Sequence, residues 1–158
     1  MIKVLFICHG NICRSPMAEF WFRHRISEAG LSNYIEVASA ATSSEEIWNG
    51  VGNPVHTGTR TLHRRYGISV EGKRAVQLRK EDYQNYDYLI GMDHWNMLNM
   101  RRILGDDPEQ KLHLLLDFGK NPRDIADPWY TGDFEQTFRD IEEGCEGLFE
   151  YLQEQVRR

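Results

Sequence analysis

The sequence predicts an α/β fold of three layers, a parallel sheet with helices on both faces. Three observations predict it. Ile2–Ile7 is a near-continuous β-branched and aliphatic run, the pattern of a strand covered on both sides. Strand-like and helix-like segments then alternate along the chain. Finally, Phe134, Phe138, Ile141, Cys145, Leu148, Leu152 and Val156 recur at steps of three and four, which gives a terminal helix one apolar face and assigns Cys145 to the core.

Taken in order, Ile2–Ile7 is the central strand, and a short loop leads to Ser15-Pro16, which reads as a helix cap and a first-turn proline. That helix runs to Ala29 and stops at Gly30. A second strand is expected over Ile35–Ala38, followed by a long polar loop through Thr42–Glu46 and Asn49–Pro54 in which Trp48 stands alone. Val55–Tyr66 is expected as a helix closed by Gly67, Tyr88–Met92 as the third strand, His94–Leu104 as a helix and Leu112–Leu116 as the fourth strand. The segment Asp117–Gly132, with Pro122 and Pro128, is a loop longer than an ordinary connection needs. In folds of this kind ligands collect at the carboxyl ends of the strands, where Cys8 lies.

With 158 residues, 41% apolar and 27% charged, the chain has the size and composition of a single domain spanning 1–158. A formal charge of −5 with scattered Lys and Arg provides no field for nucleic acid. No run approaches the ~20 apolar residues of a membrane helix, so no membrane partner is expected. Three cysteines, Cys8, Cys13 and Cys145, are an odd number and too few for a secreted disulfide framework, which points to a reducing, cytoplasmic setting. The six histidines and the acidic stretches have no metal-ligand spacing, so neither a metal nor another cofactor is expected. His56 and His63 are expected on a solvated helix face, and the protein is expected to be a monomer.

The chemistry is concentrated in Cys8-His9-Gly10-Asn11-Ile12-Cys13-Arg14-Ser15, which joins the first strand to the first helix. A loop in that position can turn its N–H groups inward toward the positive helix terminus and cradle an anion. Gly10 and Asn11 tolerate the left-handed angles that such a loop demands. Arg14 offers a planar fork able to grip two phosphoryl oxygens, a geometry that lysine lacks. Ringed by these donors, Cys8 is favoured as thiolate, the nucleophilic form. A Walker-type reading fails, because Cys13-Arg14-Ser15 stands where Gly-Lys-Ser/Thr would be required.

The segment Cys8–Glu19 resembles the signature of the low-molecular-weight protein tyrosine phosphatases. The resemblance continues through Ser39-Ala40-Ala41-Thr42-Ser43, Gly67-Ile68, Asp87-Tyr88, Met92-Asp93 and Asp127-Pro128-Trp129-Tyr130, in order along the chain. It implies a four-stranded parallel sheet and a metal-free, two-step hydrolysis of phosphotyrosine through a phosphocysteine. Cys8, Arg14 and Asp127 match the catalytic positions, with Asp127 as the acid that protonates the leaving oxygen. Pro128 biases Asp127 toward extended backbone, suited to presenting a carboxylate from a loop. Ser15 matches a donor to the Cys8 sulfur, Asn11 a residue bracing the loop, and Ser39 a part of the same support. Trp48, Trp129 and Tyr130 match aromatic walls that sandwich a phenyl ring and reject short phosphoserine. Cys13 is placed for a reversible disulfide with Cys8. One departure is Lys73, which stands where many members have a histidine that steadies the loop asparagine. The implied partners are tyrosine-phosphorylated proteins and a bacterial-type tyrosine kinase.

Three other readings compete with this one. A protein arginine phosphatase of this fold would call for threonine where Ile12 stands, and an arsenate reductase would need two further cysteines where only Cys145 remains. A non-catalytic phosphate-binding module would need neither Cys8 nor Asp127.

Overall fold

The structure, a computed structural model, describes all 158 residues. Its main sheet holds four parallel strands, β1 (Ile2–Cys8), β2 (Ile35–Ala41), β5 (Tyr88–Gly91) and β6 (Leu112–Leu114), in the order β2-β1-β5-β6. A hairpin of β3 (Ile47–Trp48) and β4 (Val51–Gly52) lies apart from it. The helices are α1 (Arg14–Glu28), α2 (Thr57–Arg64), α3 (Asp82–Asn85), α4 (His94–Leu104), α5 (Pro128–Thr131) and α6 (Phe134–Arg157). None is long and apolar enough to cross a membrane.

The β1 run is apolar throughout because successive side chains serve opposite layers. Val4, Phe6 and Cys8 pack with residues of α1 and α6, including Met17, Phe22, Ile141 and Leu148. Leu5 and Ile7 pack on the other side with Leu78, Tyr83, Met100 and Leu104. Phe6 meets Phe22 edge-on at 5.7 Å, and Cys145 is fully buried on the face of α6 that the periodicity picked out.

The chain winds from β1 through α1 to β2 on one side of β1, then crosses back to β5 on the other. That reversal opens a crevice beyond the carboxyl end of β1, and Cys8 is the last residue of the strand.

Several expectations are corrected. The predicted polar loop contains the β3–β4 hairpin, whose turn residues Asn49 and Gly50 have φ of 51° and 77°. Asn-Gly is the strongest short-range hairpin signal, and it was present in the sequence. The fourth strand ends at Leu114, and Leu115–Phe118 tightens into a 3₁₀ turn. The short helix α5 forms within the segment expected as loop, and α3 in a stretch for which no element was predicted. His63 does not face solvent: it is fully buried, ring against Phe138, with Nε2 3.0 Å from the Met17 carbonyl. The physical reason is that α2 packs against both α1 and α6, so its inner face must be filled whatever its polarity.

Candidate active site

The loop from Cys8 to Ser15 wraps the Cys8 sulfur. The backbone N–H groups of Asn11 and Ser15 reach Sγ at 3.3 and 3.4 Å, and the Ser15 hydroxyl lies 3.0 Å away. Ser15 is not the helix cap that its sequence suggested. Cys13 occupies that position without a side-chain cap, and the Ser15 N–H, in the first turn of α1, faces the sulfur instead. Asn11 takes the left-handed conformation, φ 59°, as expected of the loop. Gly10 does not, and its lack of a side chain serves another purpose: a Cβ there would lie 3.2 Å from Glu46 Cγ.

A chain of side-chain hydrogen bonds fixes the loop from beneath. Asn11 donates through Nδ2 to Ser15 Oγ at 2.8 Å and to Ser39 Oγ at 2.9 Å, and its Oδ1 accepts the Val76 N–H at 3.0 Å. Ser39 in turn donates to the buried carboxylate of Glu19, which also pairs with Arg23 and lies 3.6 Å from Lys73 Nζ. Lys73 does not touch Asn11. It donates to the Ser39 carbonyl at 3.0 Å, so it steadies the asparagine's partner rather than the asparagine, whose oxygen is held by a backbone amide. Burial pulls the Lys73 ammonium below its ordinary range, and the Glu19 carboxylate opposes that pull.

Arg14 is buried at the first position of α1. Its Nη1 is committed to Asp93 at 2.6 Å and to the Ile125 carbonyl at 2.8 Å. Nη2 lies 3.5 Å from the Asp127 carboxylate, so Nε and Nη2 are the donors left for a bidentate anion. Burial works against its charge, but Cys8, Asp93 and Asp127 outweigh it and hold the guanidinium above its ordinary pKa. Asp93, at the carboxyl end of β5, is thus a second-strand partner of Arg14 while it also caps α4 through a reciprocal bond with Asn96.

Asp127 reaches the same cavity from the long loop. Its backbone is extended (φ −81°, ψ 115°), as Pro128 predicts, and its Oδ1 accepts the Trp129 N–H at 3.0 Å. The loop is pinned on either side, by Ile125 N–H to the Met92 carbonyl and by the Thr137 hydroxyl to the Ala126 carbonyl, each at 3.0 Å.

Cys8, His9, Gly10, Ile12, Cys13, Arg14 and Asp127 line one cavity, with Trp129 and Tyr130 at its wall. Asn11, Ser15 and Ser39 lie below it as supports. Trp48 is not among the lining residues: it is 80% exposed at the hairpin turn, and Glu45 and Glu46 occupy the wall that it was expected to form. The cysteines are free thiols, and burial pushes Cys13 up to about 12. Sequence reading missed Glu45, Glu46 and the long-range partners Asp93 and Glu19. The last two sit within matched motifs, but no local pattern says what they contact. No group of three or more His, Cys, Asp or Glu side chains is gathered as a metal site.

The fold and cleft together define a class, doubly wound α/β proteins with a cysteine-led loop at the switch point of the sheet. Within it, the chain belongs to the low molecular weight phosphotyrosine protein phosphatase family, whose pattern it matches over residues 3–158. It is 41% identical over 157 residues to the low molecular weight protein-tyrosine-phosphatase YfkJ of Bacillus subtilis, covering 98% of each chain. It is 38% identical over 153 residues to PtpA of Staphylococcus epidermidis, covering 96% of this chain and 94% of that one. The crystal structure of YfkJ superposes with a TM-score of 0.92 at 40% identity, over 98% of this chain and 96% of that one. The low molecular weight protein tyrosine phosphatase of Streptococcus pyogenes superposes at 0.83 and 37% identity, over 96% and 93%.

Proposed function

We propose that the protein is a metal-free phosphotyrosine hydrolase acting through a phosphocysteine. The observation that carries this reading is the set of three groups around Cys8 Sγ, two donating backbone N–H groups and a hydroxyl 3.0 Å away, in a cavity that also holds Arg14 and Asp127. In the first step the Cys8 thiolate attacks phosphorus and the bond to the tyrosine oxygen breaks. Arg14 and the loop amides hold the equatorial oxygens, while protonated Asp127 gives its proton to the departing oxygen. In the second, Asp127 takes a proton from water as that water attacks phosphorus. The P–S bond breaks, orthophosphate leaves and the thiolate returns. Ser15, whose hydroxyl is in reach of the sulfur, makes that thiolate the better leaving group.

The names of the relatives support phosphotyrosine as the substrate. So do Trp129 and Tyr130, flat side chains beside the loop that suit an aryl ring, and Ile12, where an arginine phosphatase would have threonine. We place the activity in one cytoplasmic domain acting as a monomer on tyrosine-phosphorylated proteins, with a bacterial-type tyrosine kinase as its counterpart.

The test is turnover of matched phosphotyrosine, phosphoarginine and phosphoserine peptides by the parent and by Cys8→Ser, with acid-quenched samples weighed for a phosphoenzyme. Phosphotyrosine turnover with a trapped adduct is expected for the parent alone. Undiminished turnover in Cys8→Ser would sink the mechanism. Asp127→Ala is expected to slow phosphotyrosine hydrolysis by ~10²–10⁴ and nitrophenyl phosphate hydrolysis less, because tyrosine is the poorer leaving group, with a pKa of ~10.

A further inference from the structure

The cleft that Trp129 and Tyr130 line also carries two consecutive carboxylates, Glu45 and Glu46. Glu45 is tied to the phosphate loop, and Glu46 to the segment that follows the hairpin. Glu45 Oε2 lies 3.0 Å from His9 Nε2. Glu46 Oε2 accepts from Asn53 Nδ2 at 2.7 Å, and its Cγ sits over Gly10, where any side chain would crowd it. Neither carboxylate has a Lys or Arg within ion-pair distance: Glu45 has His9 alone, and Glu46 has an uncharged amide. The guanidinium in the cavity, Arg14, is already shared between Asp93 and Asp127. The mouth of a cleft for a dianionic group is thus bordered by acids that lack cations.

We propose that Glu45 and Glu46 determine substrate choice by taking a Lys or Arg next to the phosphotyrosine as their missing counter-ion, and by repelling phosphotyrosines flanked by Asp or Glu. This rests on the reading of the cleft as a phosphotyrosine site and adds to it the charge of the neighbouring residues. Two carboxylates at a partly solvated rim act mainly through encounter and discrimination rather than through large binding energies. An approximately tenfold preference is the expected scale.

The experiment compares kcat/KM for two phosphotyrosine peptides that are identical except for Arg or Glu on either side of the phosphotyrosine. The parent is expected to favour the Arg peptide about tenfold in low salt. Raising salt from about 10 mM to about 1 M shortens the screening length from roughly 30 to 3 Å and should bring the ratio near one. Glu45→Gln combined with Glu46→Gln should bring it within about twofold without added salt, and Glu45→Arg combined with Glu46→Arg should reverse it. Glu154→Gln, an exposed acid near the far end of α6, should leave the ratio as it is. Equal turnover of the two peptides by the parent, a ratio indifferent to salt, or a ratio that the double variant leaves unchanged overturns the inference and leaves the phosphotyrosine reading standing. Turnover of neither peptide overturns both. The salt series uses the parent protein, so it decides even if a variant fails to fold.

Discussion

The Ser15 hydroxyl lies 3.0 Å from Cys8 Sγ while accepting from Asn11 Nδ2 at 2.8 Å. With one lone pair taken by the asparagine and a thiolate that can only accept, the single serine proton has one destination, the sulfur. A hydrogen bond to a charged group contributes ~1.5–3 kcal/mol, and here it acts on the sulfur as leaving group. Ser15→Ala should therefore lower kcat about ten- to a hundredfold with KM falling in step, so that kcat/KM stays near that of the parent, and rapid-quench traces should show a larger burst of product before the slow phase. An equal fall in the burst and the steady rate would assign the serine to the first step instead.

Asp93 has two duties that substitution separates. Asn in its place keeps a cap for α4 but removes the charge opposite Arg14, whereas Ala removes both. Asp93→Asn should cost about ten- to a hundredfold in kcat/KM through a misaimed guanidinium, with thermal stability reduced by the broken ion pair. Asp93→Ala should lose a further ~1 kcal/mol of stability, the contribution of an N-cap. Matched melting curves of the two variants measure that difference.

His63 ties stability to pH. Burial holds its pKa below the ordinary 6.5, and its Nδ1 is buried without a hydrogen-bond partner. The unfolded chain therefore takes up the proton at higher pH than the folded one does, and stability falls as pH drops below about 6.5. His63→Leu should flatten that part of the Tm-against-pH curve, although it is less stable at neutral pH for want of the bond to the Met17 carbonyl. An unchanged slope would place the acid sensitivity elsewhere.

Cys13 is held up to about 12, first by burial and then by the charge on Cys8, and burial likewise pushes Cys145 up. At about pH 7.5 its thiolate is roughly a thousandfold scarcer than that of an ordinary thiol. Iodoacetamide should label Cys8 and spare the other two, as read by peptide mass mapping, with inorganic phosphate slowing the reaction. For the Cys8–Cys13 disulfide proposed from the family resemblance, the attacking thiol is the slow partner. Its formation after peroxide treatment should therefore accelerate with rising pH.

Whatever depends on neighbours along the chain is legible in the residues alone. The apolar run of β1, the steps of three and four in α6, and a loop that begins at Cys8 and ends at Arg14 are local patterns, and the structure bears them out. The extended backbone of Asp127 belongs with them, because Pro128 sterically dictates it. Tertiary structure alone decided which distant groups meet. Arg14 finds Asp93 across 79 positions of sequence, and Ser39 finds Glu19 across 20. His63 is polar by type but buried by position, because α1 and α6 close over the inner face of α2. Trp48, which resembled a cleft wall, is carried outward by an Asn-Gly turn, and that same turn leaves Glu45 and Glu46 facing the phosphate loop. A residue's chemistry is written in its identity, but its partners are set by packing. Packing is a property of the whole chain at once.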